Sequence, residues 1–155
     1  MSYSIRFAKA GDETTIARLL EEIYNQHAEG RPDLFGGGSS KYTAEDVLAM
    51  IEKQEMVIFV AADENDAVLG YAFCMFKEFH APAHYKTIYL DDLNIDQKAR
   101  RMGIGRALVN ACRAYGKEHD CYNLTLNVWA FNEGAICFYE ALGFLPQRTI
   151  LESIL

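Results

Sequence analysis

Apolar residues recur along this chain with two periods, and the alternation between them orders its elements. Ile5 and Phe7 open a short strand. Ile16, Leu19, Leu20 and Ile23 then follow the i, i+3, i+4, i+7 rule of an amphipathic helix, with Asp12 placed to cap it. From His27 to Lys41 both periods fail, at Gly30, Pro32 and Gly36-Gly37-Gly38-Ser39-Ser40. A run of about fifteen residues without periodicity reads either as a lid or binding loop or as a plain surface connection. Thr43 caps a second helix whose inner face is Val47, Met50 and Ile51. Val57 to Ala62 and Val68 to Phe76 are β-rich, and Asp63-Glu64-Asn65-Asp66 between them makes a hairpin.

The second half continues in the same alternation. A loop with His80, Pro82 and His84 leads into a strand, Ile88 to Ile95, and a glycine pair then opens a helix lined by Leu108, Ala111, Cys112 and Tyr115. Leu124, Leu126 and Val128 alternate as the next strand. Glu133 to Leu142 is a helix with Gly143 just past its end, where left-handed backbone suits glycine. Residues 144–155 hold the last strand. Neither an internal repeat nor a linker interrupts the pattern, so residues 1–155 form one α/β domain, a mixed sheet with helices on both faces.

Composition narrows the class. Half of the 155 residues are apolar and 12% aromatic, which suits a globular core. Fifteen basic against twenty-two acidic residues give a net charge of −7. That charge argues against nucleic acid as a partner and suits a cationic substrate. No apolar run approaches the ~20 residues of a membrane span, and the N-terminus carries no signal peptide, so a cytoplasmic protein is expected. Cys74, Cys112, Cys121 and Cys137 form no Cys-x-x-Cys pair and have no histidine at ligand spacing. Free thiols and no metal are the expectation.

Candidate chemistry concentrates in two runs. Arg100-Arg101-Met102-Gly103-Ile104-Gly105 stands between a strand and a helix entrance. Glycines there let backbone N–H groups approach an anion, and the helix N-terminus adds roughly half a positive charge. A dinucleotide-binding reading fails, because the full Gly-x-Gly-x-x-Gly is absent: position 108 is Leu. Downstream stands Asn132-Glu133-Gly134-Ala135-Ile136-Cys137-Phe138-Tyr139, closed by Leu142-Gly143-Phe144.

Together, Arg-x-x-Gly-x-Gly and Asn-x-x-Ala-x-x-Phe-Tyr resemble the GNAT superfamily of acetyl-CoA-dependent N-acetyltransferases. The resemblance implies a mixed, mostly antiparallel twisted sheet with helices on both faces. It implies acetyl-CoA as donor, its pyrophosphate held by the backbone from Arg101 to Arg106 with Arg100 beside it. It also implies a pantetheine arm paired to the backbone of Leu93, Asn94 and Ile95, and Asn132 bonded to the cofactor; Asn132 is equally placed to cap its helix. Relatives of this kind often form homodimers. A non-catalytic acyl-CoA-binding module of the same fold is the alternative.

The reaction that the resemblance implies is attack of an amine on a thioester. At a pKa of ~10.4 only about one part in 2,500 of a primary amine is neutral at pH 7, a deficit of roughly 4–5 kcal/mol. A base, a water chain or desolvation must remove a proton. Asp91 and Asp92 are the acidic candidates, and strand alternation sets them on opposite faces. By the resemblance, Tyr139 protonates the departing thiolate. His80 and His84 are further candidates near the acceptor, and Tyr24, Phe35 and Trp129 could wall its pocket.

Overall fold

Alternation along β2 explains how this chain builds two cores on one sheet. In the computed structural model, which describes residues 2–36 and 40–155, β2 spans Val57–Asp63. Its Ile58 and Val60 pack on one face with Ile16, Leu19, Leu20 and Val47. Phe59 and Ala61 pack on the other with Ile104, Leu108, Val109 and Cys112. A strand buried on both faces reads in sequence as an unbroken apolar run, as Val57 to Ala62 does.

The chain runs β1 (Tyr3–Phe7), α1 (Glu13–Gly30), α2 (Ala44–Lys53), β2, β3 (Val68–Phe79), β4 (Tyr85–Ile95), a 3₁₀ turn at Gln97–Ala99, α3 (Ile104–Glu118), β5 (Asn123–Leu126) and α4 (Glu133–Ala141). Among the described residues the strands form one sheet in the order β1-β2-β3-β4-β5. The first four are antiparallel. β5 joins β4 in parallel, from Thr87 opposite Asn123 to Leu90 opposite Leu126. Parallel pairing needs a crossover, which α3 supplies. Helices α1 and α2 cover one face and α3 the other.

Local chemistry sets the boundaries. Thr43 and Asp46 exchange side-chain-to-backbone bonds in a full capping box at the start of α2. Asp12 caps nothing with its side chain. Its carboxylate instead accepts from the Lys9 N–H and the Arg6 guanidinium, which tie β1 to the start of α1. Helix α1 continues through His27 to Gly30, so the irregular stretch begins at Arg31. Gly30 lies against the Phe131 ring, which would have to move to admit a side chain there. The expected strand at 144–155 is absent, because no strand of this chain lies beside it; β5 ends the sheet. Val128 likewise falls outside β5, which stops at Leu126. No helix among the described residues is long and apolar enough to cross a membrane.

Candidate active site

The site forms where β4 and β5 part. Their pairing ends at Leu90 and Leu126, yet β4 continues five residues further, to Ile95. Opposite β3, Phe73 pairs with Asp92 and Cys74 with Leu90, so Asp91 is the extra residue of a bulge. The bulge overturns strict alternation. Ile88 and Leu90 face α3 before it, and Leu93 and Ile95 face α3 after it. Asp91 and Asp92 are therefore not on opposite faces: both carboxylates act on Lys41, Tyr71 and Tyr89.

Their surroundings differ. Asp91 Oδ2 accepts from Lys41 Nζ at 2.6 Å. Burial acts to lower the Lys41 pKa, but the bond and charge of Asp91 more than offset it, and the net shift is upward. Asp92 Oδ1 accepts from the hydroxyl of Tyr71 at 3.0 Å. Burial raises Asp92 to about 6, against the opposing pull of the Tyr71 bond and the Lys41 charge. Tyr71, fully buried, is itself pushed well upward, first by burial and then by the Asp92 charge. A carboxyl that titrates near neutrality is what a general base needs.

Beyond the bulge β4 exposes an edge. The Asp96 N–H donates to Leu69 O at 2.8 Å. In an antiparallel ladder alternate residues bond to the neighbour, so Asn94 and Asp92 direct their backbone groups to β3. Leu93 and Ile95 direct theirs to the open side, where the Ile95 carbonyl accepts from Arg100 Nε at 3.3 Å. Asn94 therefore departs from its expected part: its side chain is buried on the α1 face and donates to Leu19 O at 2.8 Å. Its Oδ1 also accepts from the Ile95 N–H at 3.0 Å.

At the end of that edge the chain turns into α3. Arg101 has φ 67° and Gly103 φ 80°, a left-handed pair that swings the backbone into the helix. The first intrahelical bond runs from the Ala107 N–H to Gly103 O, and no side chain caps this end. The N–H groups of Ile104, Gly105 and Arg106 thus have no helical partner and can meet an anion. Arg100, Arg101 and Arg106 stand exposed around them, while Met102 is half-buried and the Ile104 side chain anchors the turn in the core.

Helix α4 carries the second motif to the same place. Asn132 Oδ1 accepts from the Ala135 N–H at 3.1 Å, the capping role. Phe138 packs on Gly105, and Tyr139 joins the core cluster that contains Leu90 and Cys112. Burial first, and then the charge of Asp92, raise the Tyr139 pKa, and no hydrogen bond to a described residue opposes them. The phenol and the Asp92 carboxyl are thus in electrostatic reach of each other.

Aromatic rings gather between α1 and the segment that joins β5 to α4. Tyr24 meets Phe35 edge-on with centroids 5.5 Å apart, and Phe35 meets Trp129 at 5.4 Å. His27 and Phe131 complete the group, and burial lowers the His27 pKa. Gly37, Gly38 and Ser39 of the expected loop lie outside the described residues. His80 and His84 are not brought to the site: they lie exposed at the β3–β4 turn, at the other end of β4. There, with Glu78, they place their ligand atoms within 4.8 Å of one another, a grouping the sequence did not suggest. Tyr71 and Lys41 were missed. An antiparallel β3–β4 hairpin puts Tyr71 diagonal to Asp92, but its register needs the bulge, which leaves no mark in the sequence.

Comparison with known proteins agrees with this fold. Residues 20–144 match the family described as Acetyltransferase (GNAT) family. An uncharacterized N-acetyltransferase of Bacillus subtilis (strain 168), YhfO, is 30% identical over 141 residues, covering 91% of this chain and 89% of that protein. The crystal structure of a tetramutant of the BH1408 protein from Bacillus halodurans superposes with a TM-score of 0.90 at 29% identity, covering 98% of this chain and 99% of that one. Glucosamine-6-phosphate N-acetyltransferase from Arabidopsis thaliana shares the fold, with a TM-score of 0.71 at 19% identity and 99% of each chain covered.

Proposed function

This chain belongs to the acetyltransferase (GNAT) family, and on that premise we propose that it moves an acetyl group from acetyl-CoA to the amino group of a cationic acceptor. The acceptor is a small amine or a protein amino group. Transfer is by direct attack with donor and acceptor bound together. One observation supports this reading: the Asp92 carboxyl, bonded to the Tyr71 hydroxyl, stands at the β4 bulge just past the last residues that β4 and β5 pair, and its charge reaches the Tyr139 phenol.

The chain's groups divide the work. Free N–H groups at Ile104, Gly105 and Arg106, with the arginines around them, suit the pyrophosphate of coenzyme A. The open edge at Leu93 and Ile95 suits its pantetheine arm. The ionised Asp92 takes a proton from the bound ammonium, directly or through water, and the freed amine attacks the thioester carbon. As the tetrahedral adduct collapses, the carbon–sulfur bond breaks and the nitrogen gives its second proton to solvent. The departing thiolate takes a proton from Tyr139, which burial keeps protonated throughout the working range. Asp91 and the aromatic group of Tyr24, Phe35 and Trp129 suit a cation.

Purified protein incubated with acetyl-CoA and a panel of amines tests the reading. The panel should hold a polyamine, an amino sugar, and peptides with a free N-terminus or a lysine. Thiol release matched by acetylated product for at least one cationic amine is expected. Acetyl-CoA binding without transfer to any amine in the panel would reject it.

A further inference from the structure

The β3–β4 hairpin turns at the far end of β4 from Asp92, through His80-Ala81-Pro82-Ala83-His84. Its last rungs pair Glu78 with Lys86 and Phe79 with Tyr85, whose rings stack with centroids 4.9 Å apart. One step further the two histidines face each other across the mouth of the loop, their rings stacked at 5.0 Å and 16° from parallel. Side chains two apart along a strand point to the same side, which sets Glu78 beside His80. His84 joins them, its Nε2 4.0 Å from Glu78 Oε2. Two imidazole nitrogens and a carboxylate oxygen, drawn from both arms of the hairpin, thus lie within 4.8 Å of one another.

Charge at this corner favours a cation. Lys86, opposite Glu78, is committed elsewhere: its Nζ donates to His119 O at 2.9 Å and lies over the Phe76 ring. Among the described residues His84 is the basic group within salt-bridge distance of Glu78. A groove lined by Glu78, His84, Lys117 and Asp120 gives water access to the same corner. Three atoms so spaced share a point no more than about 2.8 Å from each, against ~2.0–2.2 Å for zinc bonded to His or carboxylate. Each side chain need close by less than about 1 Å, which rotamers of exposed residues on a turn allow.

We propose that Glu78, His80 and His84 bind one zinc ion, with water completing its shell. Two imidazoles and one carboxylate suit a borderline divalent ion, whereas magnesium and calcium require shells of oxygen. The expectation of no metal rests on the cysteines, and this site uses none. It lies about 25 Å along β4 from Asp92, at ~3.3 Å per residue, and takes no part in acetyl transfer. Its action is on the hairpin: an ion shared by both arms ties the end of β3 to the start of β4 and so favours the folded chain. The site therefore stands or falls independently of the reading of the active site.

Isothermal titration of the untagged, chelator-treated full chain with zinc chloride should give one site with a Kd in the micromolar range. Zinc at about a hundredfold over Kd should raise Tm by roughly 5–10 °C, and magnesium at the same concentration should not. Of the four histidines, His80 and His84 should shift their imidazole NMR signals up to one equivalent of zinc, while His27 and His119 stay in place. That measurement uses the wild-type chain and does not depend on any variant folding. His80→Ala, His84→Ala and Glu78→Gln should each weaken binding by about tenfold or more, at least what loss of a group supporting a metal ligand costs. Cys121→Ser and Cys137→Ser, at the thiols that are not fully buried, should leave it unchanged. No saturable binding, binding that survives loss of both histidines, binding lost with the cysteines, or an equal response to magnesium would each overturn the proposal.

Discussion

Gly105 and Phe138 are in direct contact: a Cβ on the glycine would stand 3.0 Å from Cζ and 3.2 Å from Cε2 of the ring. The contact joins the two motifs, the glycine turn at the head of α3 and the aromatic pair of α4. Glycine at 105 has two uses at once, leaving its N–H open to an anion and letting α4 approach.

Enlarging residue 105 should therefore act through Phe138. Alanine gains up to about 1 kcal/mol of helix propensity over glycine, which offsets much of a contact the ring can relieve by a small shift. Valine adds atoms the ring cannot avoid, and overpacking of this kind costs about 1–3 kcal/mol. Gly105→Ala should be near neutral in denaturant melts and Gly105→Val destabilised by that amount. Adding Phe138→Ala to the valine variant should cost less than Phe138→Ala costs alone, a coupling that a double-mutant cycle reads.

Much of this was legible because it rests on local signals. Thr43 marks a helix cap, Ile16 to Ile23 a helix face, and Gly143 a positive φ past the end of α4. The features that were not legible are long-range. The Asp91 bulge depends on the register of β3 against β4, and without it the two carboxylates would have faced apart. Asp12 was drawn from its cap by Arg6, a partner on β1. The 144–155 segment carries strand chemistry, but a strand exists only where a neighbour supplies hydrogen bonds, and this chain supplies none there.

Asp92 should make the protein less stable at the pH where it works. Its pKa of about 6 in the folded chain lies above the ordinary 3.8. Folding takes up a proton between those values, so its contribution is fully present below about pH 4 and lost as pH rises through 6. At neutral pH the buried carboxylate then costs on the order of 2–3 kcal/mol, at about 1.4 kcal/mol per pH unit. Asp92→Asn keeps an acceptor for the Tyr71 hydroxyl and removes the charge. It should be more stable than wild type at pH 8 and equal to it at pH 4 in urea melts. Turnover should fall by about 10²–10⁴, and the rise of kcat/KM through pH 6 should vanish. An Asn variant no more stable at pH 8 than at pH 4, relative to wild type, would show that Asp92 is solvated.

Tyr139→Phe tests the other proton. The ring packs against Phe138 and Phe144, and phenylalanine keeps those contacts. Acetyl-CoA affinity, read by thermal shift, should hardly change. Turnover should drop by a similar factor, about 10²–10⁴. Because burial raises the phenol's pKa, the wild-type rate should show no loss from phenol ionisation up to pH 10. Unchanged turnover in the variant would assign the thiolate's proton to water.

The acceptor's charge is tested at Asp91, where Lys41 already holds the carboxylate at 2.6 Å. A cationic acceptor drawn to Asp91 must displace that ammonium, and a partly exposed pair of this type is worth about 1 kcal/mol or less. Lys41→Met should therefore lower KM for a cationic amine by up to about fivefold and leave kcat near wild type. Asp91→Asn should raise KM instead, again with little change in kcat, in contrast to the kcat loss at Asp92. Salt should raise KM in the wild type and do so less in Asp91→Asn, because the attraction it screens has been removed. The rate should still climb with pH, since the same carboxylates that attract an ammonium also hold its proton. Preference for a neutral or acidic acceptor over every cationic amine tested, or a KM indifferent to Lys41, Asp91 and salt alike, would remove the charge from the account of recognition.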